Sequence, residues 1–265
     1  MKEFIKRMFG GGRGEEIHAC GMTDIGVRRE NNEDCFLIRS DHNIFIVADG
    51  MGGHNAGEIA SAEAVKALDA FFTLDLLERM KTDPGCIEKL MADAFRDTNR
   101  RIYEMSGTNP DYKGMGCALI MALNVGGSLH ICHVGDVRCY ICSQSGICQI
   151  TNDHTEVAEM VRGGLMTSEE ARNSRLKSIL TQTVGQPTPV TPECHFYELK
   201  DGDRVVLCSD GLWDMLSDSK IHTIVTGKRK IDEICKGLIA EANAAGGKDN
   251  ITAVVFEKYE EPSQK

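Results

Sequence analysis

No stretch of this 265-residue sequence approaches the roughly 20 apolar residues that a membrane-crossing helix needs, so a membrane-embedded chain is not expected. The opening Met1 to Phe9 has no apolar run long enough to act as an export signal. Positive charge is also scarce: 30 Lys and Arg stand against 40 Asp and Glu, for a net charge of -10. That balance argues against a nucleic-acid partner, which needs a basic patch, but leaves room for a local positive pocket. With no export segment and an odd number of cysteines, 11, the expectation is a reducing, cytoplasmic compartment and free thiols. What is present is an apolar fraction of 42%, enough to fill a real core, in a length that suits one large domain or two small ones.

Residues 1–16 read as a flexible leader, with linker composition at Gly10-Gly11-Gly12-Arg13-Gly14. A single domain over residues 17–258 and a polar tail over 259–265 complete the chain. Apolar residues at helical spacing predict helices over 57–72, 86–105 and 231–242. Strands are predicted over 35–38, 44–48, 117–125, 129–134, 137–142, 204–208 and 251–256, with a hairpin turn at Gly126-Gly127. Residues 155–175 carry two short helical patterns around Gly163-Gly164, which reads as a flap beside the core. Cys139 and Cys142 form a C-x-x-C, but on a strand residues three apart point to opposite faces, so no zinc or redox pair is expected there.

The chain is organised around Val47-Ala48-Asp49-Gly50-Met51-Gly52-Gly53-His54, where an apolar strand ends on a carboxylate followed by bare backbone. The pattern recurs. Asp49-Gly50, Gly135-Asp136, Asp210-Gly211 and Gly247-Lys248-Asp249 each place an Asp in a Gly-containing loop against an apolar strand, and Asp34 stands just before another. A lone loop Asp is usually a turn former. Four at strand ends, spread over most of the chain, point instead to one shared site and therefore one domain. Converging carboxylates need cations or protons to offset their repulsion. An all-oxygen set suits Mg²⁺ or Mn²⁺ rather than zinc. Two such ions can share a carboxylate and prepare a hydroxide for in-line attack on phosphorus, with Arg28 or Arg29 forking onto the phosphate.

Taken together, Thr23-Asp24-Ile25-Gly26, Arg29 to Asp34, Asp49 to His54, Val134-Gly135-Asp136, Ser209-Asp210-Gly211 and Asp249-Asn250 resemble the metal-dependent protein phosphatases of the PP2C type, in their bacterial form. The order and spacing match over about residues 17–257. The resemblance implies an α+β fold, an α-β-β-α four-layer sandwich of two antiparallel sheets flanked by helices. It implies hydrolysis of phosphoserine and phosphothreonine in proteins, opposing a bacterial Ser/Thr kinase. It also implies roles: Asp49 bridges two metals, the Gly50 carbonyl binds one, and Asp210 and Asp249 complete the other. Glu33 and Asp34 hold metal-bound waters, Arg29 grips the phosphate, and Asp136 and Asp214 take a weaker third ion. The expected partners are phosphorylated proteins and a cognate kinase, with no nucleic acid or membrane, and the chain is expected to be a monomer.

Two departures and three rivals arise from the same residues. Met51 stands where many eukaryotic members of the family carry a His proposed as the leaving-group acid, which leaves the proton donor open. Val137 replaces a usual Ser, without consequence for the neighbouring Asp136. The stretch Cys132 to Arg138 fits C-x-x-G-x-x-R, the phosphate loop of cysteine-dependent phosphatases, but the segment after Arg138 reads as strand, not the helix that would stabilise a thiolate. A phosphoprotein-binding module without hydrolysis is disfavoured because every metal carboxylate is present. A phosphatase for small molecules is the third alternative.

Overall fold

Alternation along the strands decides the layers. In Ile44–Met51, the side chains of Ile44, Ile46 and Ala48 join one buried cluster while Phe45 and Val47 join another. Successive strand residues face opposite ways, so a strand apolar at every position must be covered on both sides. The computed structural model, which describes residues 6–10, 16–53 and 56–259, supplies both covers.

The strands are β1 (Lys6–Gly10), β2 (Glu16–Asp24), β3 (Asp34–Arg39), β4 (Ile44–Met51), β5 (Gly116–Val125) and β6 (Ser128–Val134). They continue as β7 (Arg138–Ser143), β8 (Gly146–Gln149), β9 (Glu193–Glu198), β10 (Arg204–Cys208) and β11 (Ile251–Tyr259). One sheet has the order β1-β2-β11-β10-β7-β8 and the other β3-β4-β5-β6-β9, with every pairing antiparallel. The helices are α1 (Ala56–Phe71), α2 (Leu74–Thr82), α3 (Ile87–Ser106), α4 (Glu156–Arg162), α5 (Ser168–Asn173), α6 (Asp210–Trp213), α7 (Asp218–Val225) and α8 (Ile231–Ala244).

Three apolar clusters separate four layers. Between the sheets lie Phe45, Val47, Ile120, Ile131, Val205, Leu207, Val254 and Phe256. Leu68 of α1 and Phe95 of α3 pack on the outer face of the five-stranded sheet. Ile221 of α7 and Leu238 of α8 pack on the outer face of the other. The fold is therefore the expected α-β-β-α sandwich. Among the described residues no helix is long and apolar enough to cross a membrane.

Two expectations are corrected. Within the stretch read as a leader, Lys6–Gly10 forms β1 and pairs with β2, because β2 presents an otherwise open edge. Residues 1–5 and 11–15 of that stretch lie outside the described residues, as do 260–265 of the tail. The thiols are not all free either: Cys132 of β6 and Cys194 of β9 stand opposite each other, Cα atoms 4.1 Å apart, and are joined as a disulfide. Cys35, Cys86, Cys117, Cys139, Cys142, Cys148, Cys208 and Cys235 carry free thiols. Cys139 and Cys142 do face opposite layers, one between the sheets and the other under α7 and α8.

At the centre, the rings of Phe45 and Phe256 stack across the two sheets with centroids 3.9 Å apart and planes 9° from parallel. Replacing Phe256 by Ala should cost about 3–5 kcal/mol. A lower urea midpoint at unchanged slope checks it, and a loss below about 1 kcal/mol would mean that the sheets do not depend on this contact.

Candidate metal centre

At one mouth of the sandwich the faces that meet between the sheets change from apolar to polar. β3 turns Phe36 and Ile38 inward and starts on Asp34; β4 turns Phe45 and Val47 inward and continues to Asp49. Asp34 and Asp49 are direct partners in the β3–β4 register. Across the gap, Leu207 of β10 is followed by Ser209, and Val254 of β11 is preceded by Thr252, each two residues on along the same inner face. Ser209 Oγ and Thr252 Oγ1 both donate to Asp34 Oδ2, each at 2.7 Å. Since Thr252 spends its proton on Asp34, Thr23 must donate to Thr252 (2.7 Å), and Asn32 Nδ2 in turn donates to Thr23 (2.8 Å). One hydroxyl chain thus stitches the two sheets together at the mouth.

The loops are held as firmly. Asn250 accepts from the Glu33 amide at 2.8 Å and donates to the carbonyls of Ile25 and Asn31 at 2.9 and 2.8 Å. The Gly50 amide donates to the Glu33 carbonyl at 3.1 Å. A Cβ at Gly50 would lie 2.2 Å from the Gly57 carbonyl oxygen, so only glycine lets the strand end pass beneath the start of α1. A Cβ at Gly57 would meet the Glu33 carboxylate at 2.6 Å, so a side chain there would displace Glu33. Gly135 holds φ +99° with its Cα against Ala118, which turns the chain so that Asp136 faces inward, and Trp213 Nε1 donates to the Asp136 carbonyl at 2.9 Å.

The electrostatics show which acids share the space. Burial, then the charge of Asp34, then Asp210, Asp136 and Asp249, push the Asp49 carboxyl well above its ordinary range. Asp210 is pushed up likewise, by burial first and then by Asp136, Asp249, Asp34 and Asp214. Burial raises Asp34 to about 6 against the pull of its two hydroxyl donors, and raises Asp136 to about 7, with Asp153 adding to it. Five of the expected acids, Asp34, Asp49, Asp136, Asp210 and Asp249, therefore act on one another's charge around this mouth, with Asp34 and Asp49 direct partners in the strand register. Arg29 lies at the rim, its Nη2 2.6 Å from Asp249 Oδ2, and Glu33 is buried beside Gly57. Asp214 sits at the side, paired with Lys177. In this arrangement Arg29 grips a carboxylate of the site.

The donor set fits a hard divalent cation. Among the described residues Asp34 Oδ1 and Asp210 Oδ1 are buried with no hydrogen-bond partner, which is costly for a carboxylate oxygen unless a cation or proton meets it. The unsatisfied groups are carboxylate oxygens, the ligands Mg²⁺ and Mn²⁺ take.

The sequence reading missed the bracing residues Ser209, Thr252 and Asn250. It also missed the neighbouring group in which Arg138 forks onto Asp153 at 2.9 and 2.6 Å, donates to Tyr140 at 2.7 Å and lies 3.7 Å over the Trp213 ring. Ser209 and Asn250 stand in the quoted motifs Ser209-Asp210-Gly211 and Asp249-Asn250, where no role was given to them; Thr252 had no signal. The same group disposes of the C-x-x-G-x-x-R loop: Arg138 is committed to Asp153, Cys132 is in a disulfide, and both lie on strands.

Comparison with known proteins agrees with this geometry. The family described as Protein phosphatase 2C matches residues 26–246. A putative protein phosphatase 2C-type from Streptococcus pyogenes is 37% identical over 246 residues, covering 90% of this chain and 96% of its own. A serine/threonine phosphatase structure from S. agalactiae superposes with TM-score 0.83 at 38% identity, over 91% of this chain and 99% of that one. The catalytic domain of the serine/threonine protein phosphatase PstP, in complex with two manganese ions, superposes with TM-score 0.78 at 33% identity, over 92% and 99%. With its sandwich, its carboxylate mouth and these relatives in view, the chain belongs to the protein phosphatase 2C family.

Proposed function

We propose that this chain is a divalent-metal-dependent protein serine/threonine phosphatase. The observation that carries the reading is the mutual charge of five carboxylates around one mouth, two of them with buried oxygens that no described residue satisfies. Asp49, the Gly50 carbonyl, Asp210 and Asp249 would hold two core ions, Mg²⁺ or Mn²⁺, and Asp136 with Asp214 a weaker third. When bound, such ions spread the charge of a phosphoryl group and lower the pKa of water enough to make hydroxide available near neutral pH.

The chain's own residues then have defined tasks. Asp34 has one oxygen fixed by Ser209 and Thr252, so its other oxygen is free to accept from an attacking water. Glu33, seated over Gly57, has the same task from the other side. Asp249 pairs with Arg29 and would also be a metal ligand; with Asp249 so engaged, the planar fork of Arg29 would be available to a phosphate. Met51 carries no exchangeable proton, so the leaving alkoxide takes its proton from another donor, such as water at the site. The phosphoryl group arrives on a serine or threonine of a protein, in the cytoplasm, where the enzyme works as a monomer against a kinase of matching specificity.

Three outcomes are expected. Phosphate release from a phosphothreonine peptide should need Mg²⁺ or Mn²⁺ and stop in chelator, and a phosphotyrosine peptide should turn over far more slowly. Asp49→Asn should lower the phosphothreonine rate by at least about a hundredfold, whereas replacing Cys132 and Cys194 together by Ser should leave most of it. The reverse pattern would point to cysteine chemistry.

The third outcome concerns pH without metal. A carboxyl whose folded pKa is raised binds more protons folded than unfolded, so its contribution turns unfavourable as pH rises above its unfolded value. For Asp136, raised to about 7, that window runs from about pH 4 to about pH 7. In chelator Asp136→Asn should therefore melt higher than wild type at about pH 8, and the gap should narrow towards about pH 4. A constant gap across that range, read by differential scanning fluorimetry, would contradict the crowding of charge.

A further inference from the structure

The inner face between the sheets carries a second group of metal-ligating side chains, of different chemistry. His133 on β6 stands opposite Glu193 on β9 in the strand register. His154, just before α4, lays its ring on that of His133, centroids 4.7 Å apart and planes 22° from parallel. One nitrogen of each imidazole and one Glu193 oxygen lie within 4.8 Å of one another. Both histidines are buried, His133 completely.

The hydrogen bonds say which lone pairs are available. His133 Nε2 lies 2.9 Å from the Asn152 carbonyl, which can only accept, so Nε2 carries the proton and Nδ1 a lone pair. That Nδ1 is buried and has no partner among the described residues. Burial, with His154 beside it, lowers the His133 pKa to about 4, so the ring is neutral near pH 7. His154 Nδ1 accepts from the Gly135 amide at 3.2 Å and its Nε2 faces Glu193 Oε2 at 3.4 Å, both long contacts. A cation at Nε2 would move the ring proton to Nδ1 and give up the Gly135 contact. Glu193 is further held by Asn152 Nδ2 at 2.5 Å and lies 2.9 Å from His195 Nε2.

We propose that His133, His154 and Glu193 form a binding site for a borderline divalent cation of the zinc class, separate from the carboxylate mouth. Two neutral imidazoles and one carboxylate are a set that suits zinc and leaves a fourth position open, whereas Mg²⁺ prefers oxygen alone. His195, its ring 6.0 Å from that of His133, is the side chain at hand for that position. The frame is prepared: the Cys132–Cys194 disulfide joins the residues next to His133 and Glu193 and fixes the two strands in register. His154 is tied by its backbone amide to the Gly135 carbonyl at 3.0 Å, so an ion here would fasten edge strand β9 to the loop that carries Asp136.

The test is equilibrium dialysis of the full chain against Zn²⁺ with Mg²⁺ in large excess, which fills the oxygen site and leaves the imidazole site to zinc. Wild type should retain one zinc per chain, and Co²⁺ in its place should give the intense visible absorption of a low-coordinate nitrogen-bound ion. Glu193→Gln, a conservative change at a partly exposed side chain, and His154→Ala should each weaken zinc binding at least about tenfold while keeping Mn²⁺-dependent phosphatase activity. That activity shows that the variants are folded. No zinc retained by wild type, or equal retention by both active variants, overturns the proposal.

Discussion

Carboxylates forced together in a buried mouth repel one another, and the rest of this structure is arranged around that repulsion. Asp49 and Asp210 resist ionisation because burial and at least three neighbouring acids act on each. A protein that only needed to fold would gain by replacing them with neutral residues. The cluster makes physical sense as a site completed by cations, whose charge turns an unfavourable assembly into a binding free energy.

Holding such a cluster open requires a frame that does not relax. The four layers supply it. The inner strand faces are apolar along their length and turn to Asp, Ser and Thr at one end, so the packing of Phe45 on Phe256 and their neighbours sets the distance between acids on opposite sheets. Hydroxyls and one amide do the local work. Asn250 pins three backbone groups, and the chain from Asn32 through Thr23 and Thr252 to Asp34 spans the gap. Gly50 and Gly135 allow the backbone to approach where any side chain would collide, and Gly57 leaves room for the Glu33 carboxylate.

Much of this was legible in the sequence because the ends of the inner strands carry their own signal. An Asp in a Gly-containing loop against an apolar run reads as a carboxylate carried at a strand end, and Asp49, Asp136, Asp210 and Asp249 were singled out in that way. The elements that escaped have weak patterns. β9 is a half-buried edge strand, so its alternation is faint, and without it the pairing of Cys132 with Cys194 and of His133 with Glu193 could not be seen. α2 buries only Leu77 and Met80, and α7 is two turns long. The Asp249 grip on Arg29 was hidden for another reason: it joins residues 220 apart in sequence, and no local rule links them.

The most direct measurement of the central claim is anomalous diffraction from crystals soaked in Mn²⁺. The account predicts two strong peaks in the mouth, one ion or both within bonding distance of Asp49, with Asp210 and Asp249 on one of them and Arg29 released from Asp249. Manganese bound elsewhere, or a mouth that stays empty with Arg29 still on Asp249, would contradict it.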